Sequence, residues 1–274
     1  MKACSKRIID NPKLSLVLKA GLGSLLVLLM MLMPMACGKE ESTTPMPPGA
    51  APNKIVVRSV PKDEVNIAFG IITDTHVSDQ GTFDRNCDVC RVLNKACDDA
   101  GCLGVVHLGD MINGNSDDHL NSWRKIWEND NPVERRIRYV VFPGVGNHDV
   151  PPYHSAPRSW TGVIQYIGDR ARGASGITSY SNTAYAWDWG AYHFIQLGLW
   201  AGSGEFEDKN YTDQNKLDWL ANYLTEHVGD SGDGVLIFQH YGWDGFSTDG
   251  DWWSSDQRNK EAEILKNYKL KTRH

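Results

Sequence analysis

The sequence predicts a layered α/β domain with mixed sheets, and three patterns carry that expectation. Short apolar runs recur along the chain, several of them nearly continuous Val, Ile, Leu and Phe, as strands covered on both faces require. Segments with helical spacing lie between them. One alternating segment leads through Gly190-Ala191 into a further apolar run, the pattern of an antiparallel hairpin. Strands alternating with helices, plus one hairpin, give layers of both parallel and antiparallel pairing.

The amino terminus stands apart from that domain. Lys2, Lys6, Arg7, Lys13 and Lys19 face a single acid, Asp10, and the run Ala20 to Ala36 is uncharged. A basic start, an apolar stretch of signal length and small residues before Cys37 read as a lipoprotein-type signal peptide over residues 1–36. The run is short for a membrane span, which needs about 20 apolar residues. Lipid on Cys37 would tether the protein to a membrane, placing it in a bacterial cell envelope on the periplasmic or cell-surface side. Residues 37–54 contain four prolines and no apolar periodicity, which reads as an extended tether. Residues 55–274 form the folded domain. Because the signal carries a charge of +4, its loss takes the net charge from −6 to −10. So acidic a domain is a poor match for nucleic acid, whose binding rests on Lys and Arg neutralising phosphates. Hydrophobic residues at 41% and charged residues at 23% exclude a disordered chain.

Within the domain the expected strands are Val65–Thr73, Gly104–Leu108, Arg138–Phe142, Tyr192–Leu199 and Gly234–Gln239, with Thr183–Trp189 as the hairpin partner of Tyr192–Leu199. Asp213–Val228 sets Leu217, Leu220, Ala221, Leu224 and Val228 on one helical face, with Thr212 as N-cap. Ser255–Lys269 repeats the design with Ala262, Leu265 and Tyr268.

The chemistry sits where the strands stop. The first strand runs into Asp74-Thr75-His76, the second into Gly109-Asp110, the third into Gly146-Asn147-His148-Asp149, and the last into His240. In open α/β sheets, sites form beyond the carboxyl ends of strands, so these four groups have a common place to meet. Carboxylate, imidazole and amide donors together suit Mn, Fe or Zn.

The ordered set D-x-H, G-D, G-N-H-D and a strand-terminal His, spaced by 36, 37 and 93 residues, resembles the calcineurin-like metallophosphoesterases. The resemblance covers Val65 to about Leu270 and implies a layered α/β/β/α metallophosphoesterase sandwich. It implies two divalent metal ions, with Asp74 and His76 on the first, Asp110 bridging, and Asn147 and His240 on the second. A metal-bridging hydroxide would attack the phosphorus of a phosphate mono- or diester. His148 would serve as general acid or charge stabiliser, and Asp149 would orient its imidazole. Glycines 109, 144 and 146 would let the backbone turn tightly beside the metals.

Two features depart from the family pattern. Its final G-H-x-H motif, preceded by one more strand, has no counterpart before His274, so the sequence predicts a C-terminally truncated domain with five of seven metal ligands. Purple acid phosphatases place Tyr three residues after the second-motif Asp, and Asn113 stands there instead, which argues against that subtype. The rival reading is therefore a non-catalytic surface binding protein that keeps a degenerate phosphoesterase fold.

Other residues receive plainer readings. His107 and His193 sit inside apolar strands and read as packed, and His119, His154 and His227 carry no functional expectation, although Pro151–His154 follows a motif closely enough to line a pocket. Tyr241, Trp243, Phe246, Trp252 and Trp253 read either as a grip for an organic leaving group or as packing over a sheet edge. Cys87, Cys90, Cys97 and Cys102 follow the first motif. Export favours at least one disulfide among them, with three pairings open, ahead of a structural metal or free thiols.

Overall fold

The computed structural model describes residues 52–114, 116–128, 136–150, 162–198, 216–242 and 255–268, together with strand backbone at 15–21 and 24–30. Two sheets lie face to face. The first has the order β2-β1-β3-β4-β5, from β1 (Ser15–Gly21), β2 (Ser24–Met30), β3 (Ile67–Ile72), β4 (Val105–His107) and β5 (Val141–Pro143). Strands β3, β4 and β5 are parallel, in the register Gly70 to Val105 to Val141, so their carboxyl ends emerge on one side. The second sheet has the order β6-β7-β8-β9, from β6 (Ile177–Ser179), β7 (Tyr185–Trp189), β8 (Tyr192–Gln196) and β9 (Gly234–Phe238). The expected hairpin is β7–β8, and β9 joins it in parallel, so both sheets are mixed.

Strand alternation sends one row of side chains between the sheets and the other to the helices. Phe69 and Phe142 of the first sheet meet Trp187, Trp189, Phe194 and Phe238 of the second. The Phe142 and Trp187 rings stack 4.2 Å apart, and Phe69 meets Phe194 edge-on at 5.1 Å. On the outer side of β3, Gly70 faces Leu93 and Cys97 of helix α1 (Gln80–Ala100). Helices α2 (Asp117–Trp127) and α3 (Gly162–Ala171) follow on the same side. Over the second sheet lies α4 (Lys216–Tyr223), continued by a π-helical turn at Leu224–Val228 and braced by α5 (Ser255–Asn267) through Lys260 to Asp218. The layers are helix, sheet, sheet, helix, as expected.

Several boundaries differ from the sequence reading. The strand expected at Arg138–Phe142 begins only at Val141, because the Arg138 N–H is taken by Asn94 Oδ1 of α1 before the ladder starts. The helix expected over Asp213–Val228 changes its winding at Leu224, and its first three residues with Thr212 lie outside the described residues. Helices α2 and α3 and strand β6 had no counterpart in the reading. The apolar run assigned to the signal contributes to β1 and β2, an antiparallel hairpin laid on the outer edge of β3. Residues 31–51 with Cys37, Pro151–His154, Trp243 to Trp253 and the end at His274 lie outside the described residues, so the readings placed on them stand as sequence expectations. No helix among the described residues is long and apolar enough to cross a membrane.

Candidate metal centre

The first two strand-end loops are held in an uncommon backbone shape. Among the described residues the non-glycine positions with positive φ are Asp74 at 55°, His76 at 44° and Asp110 at 53°. Left-handed backbone costs a non-glycine residue roughly 1–2 kcal/mol. Such strain persists where the surroundings over-determine it. Here the first two loops zip together, the Asp74 N–H donating to Gly109 O and the His76 N–H to Asp110 O, both at 3.0 Å. The third loop presses in from the other side. A Cβ at Gly146 would stand 2.2 Å from both Asp110 N and Asp110 Oδ1, so only glycine allows that approach.

Asp110 is the hub. His76 Nε2 lies 3.5 Å from its Oδ2, and His240 Nε2 lies 3.6 Å from its Oδ1. His148 Nε2 stands 4.0 Å from Oδ2, while the His148 N–H donates to Oδ1 at 2.8 Å. Asp74 Oδ1 is 3.5 Å from His76 Nε2, and Asn147 Oδ1 is 3.1 Å from His240 Nε2. Two trios of metal-capable atoms result: His76, Asp110 and His148, and Asp74, Asp110 and His240, each with its atoms within 4.8 Å of one another. Two donors bound to one ion at about 2.0–2.2 Å are themselves roughly 3–3.6 Å apart. The 3.5–3.6 Å separations around Asp110 are therefore too long for hydrogen bonds and right for shared ions. The grouping refines the sequence expectation: Asp74 falls in with His240, and His148 stands beside His76, with ring centroids 4.6 Å apart.

The electrostatics point the same way. Burial, and then the charge of Asp149, push the Asp110 carboxyl well above the ordinary carboxylate range. Burial also works to raise Asp74, but His76 and the Thr73 hydroxyl outweigh it and hold that carboxyl well below the ordinary range. Burial lowers His240, so its imidazole is neutral and able to ligate. A buried carboxyl that resists ionisation, beside the neutral imidazole of His240, is relieved by a cation. The donor set thus fits divalent metal.

One of the expected roles changes hands. Asp149 does not spend its carboxylate on the His148 ring. It accepts backbone N–H groups from Gly146 at 2.8 Å, Ile112 at 3.1 Å and Met111 at 3.2 Å, and so clamps the third loop to the second. Its reach is used up because three main-chain donors of two tight turns converge on it. The ring bond instead runs from His148 Nδ1 to Asn113 Oδ1, at 3.0 Å. Asn113 was visible in the sequence as a polar residue three places beyond Asp110, but only loop closure brings it to His148.

His107, His193 and His119 have structural partners. His107 is wholly buried, with Nε2 3.0 Å from Thr75 Oγ1 and Nδ1 accepting from Gly109 N at 3.1 Å, and burial holds it near pKa 3. His193 is packed in β8 with Nδ1 2.8 Å from Asp188. His119 caps Gly114 O. The four cysteines of α1 and its C-terminal turn are buried thiols, with no disulfide formed between them in this structure, and none belongs to a metal-capable cluster among the described residues.

A sequence model of the calcineurin-like phosphoesterase family matches residues 67–272. No curated protein matches the chain.

Proposed function

The chain belongs to the calcineurin-like phosphoesterase family, and on that footing we propose that it hydrolyses phosphate mono- or diesters with two divalent ions at the strand ends. The observation that carries the proposal is Asp110, whose Oδ2 lies 3.5 Å from His76 Nε2 and whose Oδ1 lies 3.6 Å from His240 Nε2. Asp74, His76, Asp110, Asn147 and His240 are the residues that would hold the ions. Bound there, Mn, Fe or Zn supplies Lewis acidity toward phosphoryl oxygens and makes a water acidic enough to react near neutral pH.

The chain's own side chains do the rest. Asn113 Oδ1 can only accept, so it fixes the proton of His148 on Nδ1 and turns Nε2 toward the centre. Protonated at Nε2, His148 is placed to donate to a leaving-group oxygen. Asp149 keeps the Gly146 turn against residues 111 and 112, which aims Asn147 and His148 together. The same proposal exports the protein and anchors it through lipid on Cys37, with residues 38–54 as spacer. The sequence order of basic start, apolar run and cysteine supports that part.

The test is turnover of p-nitrophenyl phosphate and its bis-ester by the purified chain with Mn or Zn. Activity should vanish on chelation and return with metal. His148→Ala should lower kcat by about 10²–10⁴ while metal content stays nearly unchanged. Metal binding without turnover of either ester would sink the proposal in favour of a binding protein, and loss of metal from His148→Ala would sink the role given to that residue.

A further inference from the structure

The geometry of α1 singles out one pair among its four cysteines that can close to a disulfide. Helix α1 ends at Gly101, whose φ of 69° places it in the left-handed region. The Gly101 N–H donates to Asp98 O at 3.3 Å and the Cys102 N–H donates to Cys97 O at 2.9 Å, the paired bonds of a Schellman turn. That motif brings the residue just past the cap against the one on the last helical turn, and those two residues are Cys102 and Cys97. Their thiols are close enough to shift each other's ionisation. With the main-chain bond at 2.9 Å, ordinary bond lengths keep the two Cα atoms within about 6.8 Å. A disulfide spans about 4.4–6.8 Å between Cα atoms.

The other pairings fail on the same helix. Cys87 and Cys90 are three residues apart, where Cβ atoms stand about 5–6 Å apart, beyond the 3.5–4.5 Å that a disulfide takes. Cys90 and Cys97 are seven residues apart, roughly 10 Å of helical rise, and every pair that joins Cys87 or Cys90 to Cys97 or Cys102 spans at least about that much of α1. We propose that Cys97 and Cys102 are a redox pair which closes to a disulfide across the C-terminal turn of α1, while Cys87 and Cys90 remain thiols in the core.

Cys102 is the attacking group. The neighbouring Cys97 thiol lowers its pKa, whereas Cys102 and burial raise that of Cys97. Its thiolate, having released a proton to solvent, attacks one sulfur of a small-molecule disulfide. The donor S–S bond breaks, and one donor thiolate leaves and takes up a proton. Cys97 then gives up its proton and attacks Cys102 Sγ, expelling the second donor thiol. Two protein thiols are oxidised and one external disulfide is reduced to two thiols. Both sulfurs are buried, but Asp98, Asp99 and Gly101 around them are exposed, so fraying of this last turn opens the route. The closed pair ties the helix end beneath β3, where Cys97 Sγ lies 3.4 Å from the Cβ position of Gly70. The inference does not depend on the phosphoesterase reading.

Trypsin separates the two halves of the cluster: Cys87 and Cys90 fall on the peptide Asn86–Arg91, and Cys97 and Cys102 on Ala96–Arg124. The reduced full-length chain is refolded in a mixture of oxidised and reduced glutathione, denatured, alkylated with iodoacetamide, digested and weighed. The expected result is an Ala96–Arg124 peptide lighter by two hydrogens and free of alkyl groups, with Asn86–Arg91 alkylated twice. Dithiothreitol should lower the melting temperature of the oxidised protein by a few degrees and leave that of Cys102→Ser unchanged. A bridge from Ala96–Arg124 to any other peptide would overturn the pairing. Full alkylation of all four cysteines in protein refolded to its native circular dichroism would overturn the redox pair itself.

Discussion

The inner faces of β3, β4 and β5 and the loops that follow them are separated by only a few residues, yet they are built on opposite rules. On the inner faces, Phe69 and Phe142 meet the tryptophans and phenylalanines of β7, β8 and β9 in close ring contacts, and Phe142, Trp187, Trp189 and Phe194 are almost wholly buried. Even there the indole N–H groups of Trp187 and Trp189 have no hydrogen-bond partner among the described residues, a cost that packing outweighs. Beyond the strand ends, three residues sit in left-handed backbone, and a buried carboxylate faces another carboxylate. The seam stores stability; the loops spend part of it to hold a charged cluster. Polarity and strain at the loops are therefore signs of a site and not defects of the fold.

The sharpest break in this contrast is Asp110→Asn. Asp110 belongs to both trios, so its neutral amide should remove metal-dependent turnover, by about 10³-fold or more. In chelator, however, the variant should melt no lower than the parent, because a carboxyl that burial and Asp149 hold above its ordinary range loses an unfavourable charge. A large fall in its metal-free melting temperature would show that the hub is structural after all.

Trp187→Ala makes the opposite prediction. Removing a buried tryptophan from the seam should cost about 3–5 kcal/mol, a large fraction of a net stability of roughly 5–15 kcal/mol. The melting temperature should fall by on the order of 10 °C. What folded protein remains should keep its affinity for metal. Equal stability of variant and parent would mean that the seam is not where the fold is held.

The smallest effect separates the regions by pH. His107 lies under the site but is packed like the seam, and burial lowers its pKa from 6.5 to about 3. The unfolded chain then binds a proton that the folded chain refuses. Stability from this group is complete above pH 6.5 and is lost as pH falls toward 3, by about 2 kcal/mol between pH 7 and pH 5. Asp110 and Asp149 act with the opposite sign, since raised carboxyls weaken the metal-free fold as pH rises. Comparing melting curves of parent and His107→Gln at each pH cancels the carboxylates. An unchanged acid limb in the variant would refute the assignment.

Much of this was legible in the chain. The apolar runs marked β3, β4, β8 and β9, because strands covered on both faces need little more than apolar residues and a polar stop. The α2 signal was also present: Ser116 as N-cap, then Leu120, Trp123 and Trp127 at helical spacing, all three buried. Its start is hidden in the chain because Asp117 and Asp118 suit a turn as well as the first turn of a helix. Helix α3 follows an undescribed stretch, and its run of Gly, Val, Ile and Tyr shows no clear polar face. Its inward side is set by packing against α2.

By itself, the sequence determined the kind of donor at each strand end and the order of the motifs, since ligand chemistry belongs to the side chain and a strand's direction carries its end residues with it. Tertiary structure decided the partnerships. That Asp74 groups with His240, that Asn113 takes the place expected of Asp149 beside His148, and that Cys97 meets Cys102 are all matters of a few ångströms. The first two depend on how loops from separate strands close on one another. The third depends on one glycine's left-handed turn at the end of a helix. Spacing along the chain cannot report either, because a hydrogen bond or a metal reads distance through space.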